Sequence, residues 1–128
     1  MILDTSAIVA VFLREPGFEE IVDKLAAAPD TAIGAPTAAE TAIVVSARLG
    51  IDARGMVSRF LHEQGVTVVP FGDDHWRAAA DAYRRFGRGR HRAALNYGDC
   101  LTYAVAKLAG QPVLATGRDF AQTDLHLA

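Results

Sequence analysis

The chain has 128 residues, which is enough for one domain with a sizeable core, so we expect a single domain over residues 1–128. Hydrophobic residues make up 51% of the chain, which excludes a disordered protein. The net charge of −2 gives no sign of nucleic-acid binding by the chain as a whole, although a local basic patch is compatible with it. The single cysteine excludes an internal disulfide. With no signal-peptide pattern and no apolar run near the ~18–20 residues of a membrane span, we expect a cytoplasmic protein without membrane contact.

The first ten residues organise the predicted fold. An apolar run over residues 1–3 ends at Asp4, and a second apolar run covers residues 7–13. We interpret them as a buried strand and a buried helix, with Thr5 or Ser6 as the helix cap. A carboxylate at the carboxyl end of a buried parallel strand lies where open α/β sheets bind ligands. The alternative is that Asp4 only caps the helix.

The rest of the chain alternates between short apolar runs and segments with helical spacing, separated by Gly, Pro and Asp. Such alternation is typical of an α/β fold, in which a mostly parallel sheet carries helices on both faces. Helices outnumber strands, so we expect a small sheet of four or five strands. The predicted helices are 7–13, 18–28, 35–49, 53–64, 75–86 and 97–109, and the predicted strands are 1–3, 31–34, 66–71 and 113–116, with 125–127 as a candidate edge strand.

Glu40 is the only acid of helix 35–49, and it shares a largely apolar side with Ile43, Val44 and Ala47. An ionised carboxylate is costly in such a place unless it is paired. Glu40 therefore either forms a structural ion pair with an arginine or belongs to a site.

Two further acids stand near the ends of predicted elements. Asp99 lies in the first turn of an almost wholly apolar helix, where it either joins a site or completes a capping box with Asn96. Asp119 follows strand 113–116 after a tight turn, where it is either at the ligand-binding edge of the sheet or an ordinary turn aspartate. Asp124 is close enough in sequence to contribute but is a weaker candidate.

Taken together, Asp4, Glu40, Asp99 and Asp119 are predicted to converge on one edge of the sheet. Carboxylates within a few ångströms of one another raise each other's pKa, and a divalent cation removes that repulsion. Oxygen ligands without His or Cys select Mg²⁺, with Mn²⁺ as a substitute, over Zn²⁺. Such an ion suits a phosphate substrate and can activate a water for phosphodiester hydrolysis.

The order and spacing of these acids resemble those of PIN-domain ribonucleases and, more narrowly, of VapC-type toxins from type II toxin–antitoxin pairs. The resemblance covers essentially the whole chain. It implies an α/β/α sandwich, Mg²⁺- or Mn²⁺-dependent endonucleolytic hydrolysis of RNA, a homodimer, and inhibition by a small VapB-type antitoxin. The matching segments are Met1-Ile-Leu-Asp-Thr-Ser-Ala7, the helical Glu40, Asn96-Tyr-Gly-Asp-Cys100 and Gly117-Arg-Asp-Phe120.

The resemblance also implies roles for particular residues. Asp4, Glu40 and Asp99 become the core catalytic and metal-binding acids, and Asp119 becomes the fourth. Thr5 or the hydroxyl of Ser6 would support the waters of the metal ion. Many relatives carry a further Asp or a Lys at the position of Thr116-Gly117-Arg118, so the second metal position is open. The supporting residues implied are Thr5, Ser6, Asn96 and Thr116.

A basic stretch stands out because the chain is acidic overall: five arginines and one histidine lie within residues 84–92. The stretch directly precedes Asn96 and Asp99, so it is expected to border the acidic pocket and to hold RNA phosphates. The alternatives are an acidic antitoxin tail, instead of RNA or as well as RNA, and a solvated charge run. The candidate RNA or antitoxin contacts are Arg85, Arg88, Arg90 and Arg92.

Three aromatic side chains lie close to these segments. Trp76 and Tyr83 share one face of the predicted helix 75–86, and Tyr97 opens the next helix. Such side chains can stack on bases, but the spacing of Trp76 and Tyr83 favours core or dimer packing. Cys100 is interpreted as a small buried apolar residue and not as a nucleophile.

Three other functions are compatible with parts of the pattern. A haloacid-dehalogenase-like phosphatase also begins with a strand that ends in Asp, but that chemistry needs a second Asp where this chain has Ser6. A receiver-like domain would need a paired acid on the first strand and a Lys after the last strand. A catalytically silent PIN-like protein-binding module stays open, because sequence alone does not show that four acids converge.

Overall fold

Four short strands form a sheet in which every pairing is parallel. The computed structural model describes residues 1–128, and in it the first strand lies between the second and the last. The strands are β1 (Ile2–Leu3), β2 (Thr31–Gly34), β3 (Val66–Val69) and β4 (Val113–Leu114). Their order in the sheet is β3-β2-β1-β4, and Ile2 of β1 is in register with both Ala32 of β2 and Val113 of β4.

Six α-helices connect and cover the strands, and none of them combines the length and the apolar character that crossing a bilayer requires. A short 3-10 helix, Phe120–Gln122, follows β4. The helices are α1 (Thr5–Leu13), α2 (Phe18–Ala27), α3 (Ala35–Leu49), α4 (Arg54–Glu63), α5 (Asp73–Phe86) and α6 (Tyr97–Ala109).

Two separate cores lie on opposite faces of the sheet, because successive residues of a strand point in opposite directions. Ile2 packs with α5, α6 and Phe120 on one face. Leu3 packs on the other face with residues of α1 to α4, among them Val45. This arrangement confirms the predicted α/β/α sandwich with a small sheet of parallel strands.

Most predicted elements lie close to their expected bounds, and α6 matches its prediction residue for residue. Three strands are shorter than predicted, and the strand predicted over residues 1–3 begins only at Ile2. Strand 66–71 stops at Val69 because Pro70 has no N–H to donate to a neighbouring strand. Strand 113–116 stops at Leu114, and the N–H of Thr116 is donated to a side chain instead.

The predicted edge strand 125–127 is wrong. The C-terminal segment makes only one isolated parallel bridge, between Leu127 and Val113, so it lies beside β4 without forming a fifth strand.

The contact between β2 and α6 gives a test of the packing. A Cβ added at Gly34 would lie 2.8 Å from Val105 Cγ2, so we expect Gly34→Ala to lower the free energy of unfolding. The size of the loss should be about 1–3 kcal/mol, as for other overpacked cores, measured by urea denaturation. The matched control is Gly55→Ala on α4, where an added Cβ meets nothing within 4 Å. It should leave the stability unchanged or raise it by up to about 1 kcal/mol. Equal stability of Gly34→Ala and wild type would contradict the close approach of α6 to β2.

Candidate active site

The candidate acids lie at the point in the sheet where the strand order reverses. From β1 the sheet extends through β2 and β3, and the chain then returns to add β4 on the other side of β1. Sheets of this kind bind ligands in the crevice beyond the carboxyl ends of the strands at the reversal. Asp4 directly follows β1, and Asp119 lies on the segment that follows β4. The crevice between these two strand ends is therefore the candidate site.

Asp4 is only 5% exposed, and hydrogen bonds reach both of its carboxylate oxygens. Thr102 Oγ1 donates to Oδ1 at 2.7 Å. Ser6 donates to Oδ2 from its backbone N–H at 3.1 Å and from its hydroxyl at 2.6 Å. The hydroxyl oxygen of Ser6 accepts in turn from the Thr116 N–H at 3.0 Å. Groups from α1, from α6 and from the segment after β4 thus fix one orientation of the carboxylate.

Asp4 itself, and neither Thr5 nor Ser6, is the N-cap of α1, so the predicted cap position is wrong by one or two residues. Its side chain accepts the N–H of Ser6, and the helix begins at Thr5. Capping therefore accounts for part of the role of Asp4. It does not remove the side chain from the crevice, because the second oxygen is held by Thr102.

Glu40 forms no ion pair with an arginine, so the structural alternative predicted for it is wrong. Its Oε1 accepts a hydrogen bond from Thr5 Oγ1 at 2.5 Å. Its Oε2 faces the backbone of Gly98, where an added Cβ would lie 2.5 Å away. The carboxylate of Glu40 is therefore placed between the first turns of α1 and α6, close to Asp99.

Asp99 forms the predicted capping box and also belongs to the acidic cluster. Its backbone N–H donates to Asn96 Oδ1 at 2.8 Å, and its Oδ2 accepts the Asn96 N–H at 3.0 Å. Burial raises the pKa of the Asp99 carboxyl to about 6, although the hydrogen bond from Asn96 opposes the rise. The negative charges of Asp4, Asp119 and Glu40 are smaller contributions to the same rise. All three of the other predicted acids thus act electrostatically on Asp99.

The two acids near the C-terminus differ in their surroundings. Asp119 is exposed, precedes the short 3-10 helix and makes no side-chain hydrogen bond. Asp124 instead accepts hydrogen bonds from the Tyr103 hydroxyl and from Lys107 Nζ, both at 2.7 Å. Asp124 therefore fixes the C-terminal segment to α6 and is not brought together with the other acids.

The donor set fits a hard divalent cation in type. The four acids offer only oxygen atoms, which Mg²⁺ and Mn²⁺ prefer. They do not form a preassembled cage, since no group of three or more Asp, Glu, His or Cys side chains is arranged to hold a metal ion by itself. Mg²⁺ commonly binds through one or two carboxylates and keeps several waters, so a cage is not required. The pKa of Asp99 is raised mainly by burial and, to a smaller extent, by repulsion from the other acids, and a bound cation would relieve that repulsion.

Three buried threonines beneath the acids were missed by the sequence reasoning. Thr102 holds Asp4, and its hydroxyl oxygen lies 3.5 Å from that of Thr37. Thr41 donates to the Thr37 carbonyl at 2.8 Å, and its hydroxyl lies 3.4 Å from that of Thr5. The sequence did contain a signal for them, because each threonine lies among apolar residues on a helix with one buried face. Thr37 and Thr41 are also one helical turn apart and therefore lie on the same face.

The predicted arginine contacts fall into two groups. Arg85 lies 3.7 Å from both Asp81 and Asp124, and its guanidinium stands over the ring of Phe86, so it takes part in a structural network. The others are exposed and form no ion pair. They are Arg88, Arg90 and Arg92.

A groove of about 560 Å³ lies between α5 and the start of α6. Trp76, Tyr83 and Tyr97 line it and are 50%, 41% and 77% exposed. Of the two kinds of packing predicted for Trp76 and Tyr83, core packing is therefore wrong, and dimer packing stays a prediction. Asn96 also lines the groove, which places the groove directly beside Asp99. Cys100 is buried as predicted, and its burial raises the pKa of the thiol to about 11.

Comparisons with known proteins identify the family of this chain. The model of the PIN domain family matches residues 1–125. The chain is 49% identical to ribonuclease VapC36 of Mycobacterium tuberculosis over 127 residues, which cover 98% of this chain and 91% of that protein. It is 43% identical to ribonuclease VapC of Mycolicibacterium smegmatis over 125 residues, 98% of this chain and 97% of that protein. The chain therefore belongs to the PIN-domain family. Within that family it is one of the VapC ribonucleases, as the sequence resemblance implied.

Solved structures confirm the fold. The VapC20 toxin of Mycobacterium tuberculosis, described as cleaving the sarcin–ricin loop, superposes with a TM-score of 0.81 at 18% identity, covering 99% of this chain and 97% of that one. A toxin–antitoxin complex from Klebsiella pneumoniae gives a TM-score of 0.72 at 16% identity, covering 99% and 95%.

The pKa of Asp99 predicts a pH dependence of stability in metal-free buffer. The carboxyl titrates near 6 in the folded protein and near its ordinary value of 3.8 in the unfolded chain, so the folded state holds the extra proton between these values. The contribution of Asp99 to stability is full below 3.8 and is lost as the pH rises towards and through 6. We expect urea denaturation in EDTA to show this fall for wild type and a smaller fall for Asp99→Asn. Parallel pH curves for the two proteins would contradict the raised pKa.

Proposed function

We propose that the protein is a metal-dependent endoribonuclease of the VapC type that hydrolyses RNA phosphodiester bonds. The observation that carries the proposal is the collection of Asp4, Glu40 and Asp119 around Asp99, where two strand ends meet the first turns of α1 and α6. Four carboxylates in one crevice are unfavourable without a cation. Their position at the sheet reversal, together with membership of the VapC ribonucleases, supports phosphodiester hydrolysis over a silent binding role.

In this proposal Asp4 and Asp99 are the principal ligands of Mg²⁺ or Mn²⁺, with Glu40 and Asp119 completing the site. A divalent cation held there would supply Lewis-acid stabilisation of the phosphate charge. Thr102 and Ser6 keep the carboxylate of Asp4 in one orientation, and so limit the reorganisation that binding requires.

The chain's own groups then direct the reaction. A water attacks the phosphorus on the side opposite the 3′ oxygen, and the bond between phosphorus and that oxygen breaks. One of the four carboxylates, left free by the cation, accepts the proton of the attacking water, and the departing 3′ oxygen takes up a proton from solvent. The products carry a 5′-phosphate and a 3′-hydroxyl.

We also infer that a VapB-type antitoxin inhibits the protein and that the protein forms a homodimer. The inhibition is supported by the antitoxin-bound state of one structural neighbour and by family membership. Exposed arginines without ion-pair partners are suited to an acidic segment of such an antitoxin as well as to RNA. The candidates on this chain are Arg88, Arg90 and Arg92.

Cleavage of labelled single-stranded RNA tests the acidic site. Wild type should cut with Mg²⁺ or Mn²⁺ and stop cutting with EDTA. Asp4→Asn and Asp99→Asn should each lower the rate at least about a hundredfold, because the cation contributes several kcal/mol to the transition state. The matched control is Asp23→Asn, an exposed acid on α2, which should cut at the wild-type rate.

A selective enzyme can leave a given RNA uncut, so direct Mn²⁺ binding is measured on the same proteins by calorimetry. Wild type and Asp23→Asn should bind Mn²⁺, and Asp99→Asn should bind it more weakly. Folded wild type that neither cuts RNA nor binds Mn²⁺ would remove the nuclease proposal and leave a binding module.

The exposed arginines give a separate test of RNA contact. Changing Arg88, Arg90 and Arg92 together to Ala should weaken RNA binding and flatten the slope of log K against log salt by about 2, since each single-strand phosphate contact contributes about 0.7. The control triple variant removes the same charge from α3 and α4 and should keep the slope. An unchanged slope in the first variant would exclude phosphate contacts by this stretch. The control residues are Arg48, Arg54 and Arg59.

A further inference from the structure

The groove between α5 and α6 has features that the acidic site does not use. Eight of its ten lining residues are hydrophobic, and its volume of about 560 Å³ falls in the range of roughly 300–1,000 Å³ typical of small-ligand pockets. Three of its walls are exposed aromatic rings, those of Trp76, Tyr83 and Tyr97. Planar apolar surfaces of this kind bind the unstacked bases of single-stranded RNA.

Two of the three aromatic walls, Trp76 and Tyr83, are held in position by contacts within the protein. The indole N–H of Trp76 donates to Asp73 Oδ1 at 2.9 Å, and the Arg77 guanidinium lies 4.5 Å from the centre of its ring. A Cβ at Gly87 would lie 2.8 Å from Tyr83 Cδ2, so the backbone of Gly87 packs against the tyrosine ring. Rings that are already ordered lose little side-chain freedom when a base stacks on them.

The polar members of the groove match a nucleotide. Arg88 is exposed and forms no ion pair, so its guanidinium is available for a phosphate. Asn96 uses its Oδ1 for the cap of α6, while its amide NH₂ has no acceptor within the protein. That group can donate to an oxygen or ring nitrogen at the edge of a base.

A second copy of the chain is the other occupant to consider, because apolar surface is also typical of dimer interfaces. Covering the groove with a second copy would bury the unpaired charge of Arg88, which is costly without a partner acid. An RNA strand pairs that charge with a phosphate. The hydrogen bond from the Asn96 N–H to Asp99 Oδ2 also joins a wall of the groove to one of the acids, so a strand bound at the acids can extend into the groove.

We propose that this groove binds a nucleobase of the substrate RNA beside the cleaved phosphate, and so contributes to the choice of cleavage sequence. This inference rests on the proposed ribonuclease function, because it assigns part of the substrate of the same site. Tyr97 lines the groove and is the most exposed of its three rings, so it is the residue expected to contact the base most directly.

The only tryptophan of the chain, Trp76, lies in the groove and reports its occupancy. We expect a pool of random single-stranded RNA octamers to quench its emission saturably in EDTA, where no cleavage occurs. An octamer of the same sugar–phosphate backbone without bases should not quench it. Tyr97→Ala should weaken the binding by about 5- to 150-fold, the range for loss of one base–aromatic stack, and Tyr97→Phe should retain it. Because Tyr97 is 77% exposed, neither change should affect folding.

The possible results distinguish the groove proposal from the proposed ribonuclease function. Asp4→Asn should keep base-dependent quenching and lose cleavage. Wild type that shows base-dependent quenching but neither cuts RNA nor binds Mn²⁺ would refute only the proposed function. Cutting by wild type without base-dependent quenching, or unchanged binding by Tyr97→Ala, would overturn the groove proposal. Emission that depends on protein concentration and not on RNA, with a shift in sedimentation for Tyr83→Ala, would identify a second copy as the occupant and would also overturn it.

Discussion

The hydrogen bond from Thr102 to Asp4 joins residues 98 positions apart, and the geometry of the site depends on it. A carboxylate as buried as that of Asp4 costs several kcal/mol of free energy unless polar partners replace its water. Thr102 and Ser6 supply those partners, and no buried side-chain polar atom of the protein lacks one. Residues three apart on a helix share a face. Once Thr102 is bonded to Asp4, Asp99 on the same helix is therefore brought to the same crevice.

Two consecutive residues in the first turn of α1 each form a hydrogen bond with a different acid. The hydroxyl of Thr5 binds Glu40, and the hydroxyl of Ser6 binds Asp4. Consecutive helical side chains point about 100° apart, so one turn can hold an acid from the sheet and an acid from α3 at the same time. Thr5 and Ser6, which lie between the two apolar runs, therefore orient the acids of the site. This role explains why two polar residues interrupt an otherwise buried segment.

The sequence was sufficient for those parts of the structure that depend on local pattern. The buried strand before Asp4, the helices that end at glycines and the capping box of Asn96 and Asp99 all follow from neighbours within a few residues. The supporting threonines were not predictable in the same way. Thr102 differs from any other helical threonine only through a partner at the opposite end of the chain, and no local pattern encodes that contact.

Exposure was the other feature that local pattern could not supply. The spacing of Trp76 and Tyr83 correctly places them on one face of α5, but periodicity does not say whether anything covers that face. Strand length also depended on a contact outside the segment, since the N–H of Thr116 is used by Ser6 of α1 and not by a neighbouring strand.

The central position of β1 has a consequence for synthesis of the protein. The N–H of Asp4 donates to the Leu114 carbonyl at 3.0 Å, and both residues of β1 are in register with β4. A chain still growing on the ribosome has made its first acid long before it has made the strand that completes the sheet beside it. Until β4 has left the ribosome, the crevice has only one wall. Nascent and prematurely terminated chains therefore cannot bring the four acids together, and the crevice is completed only when synthesis is almost finished.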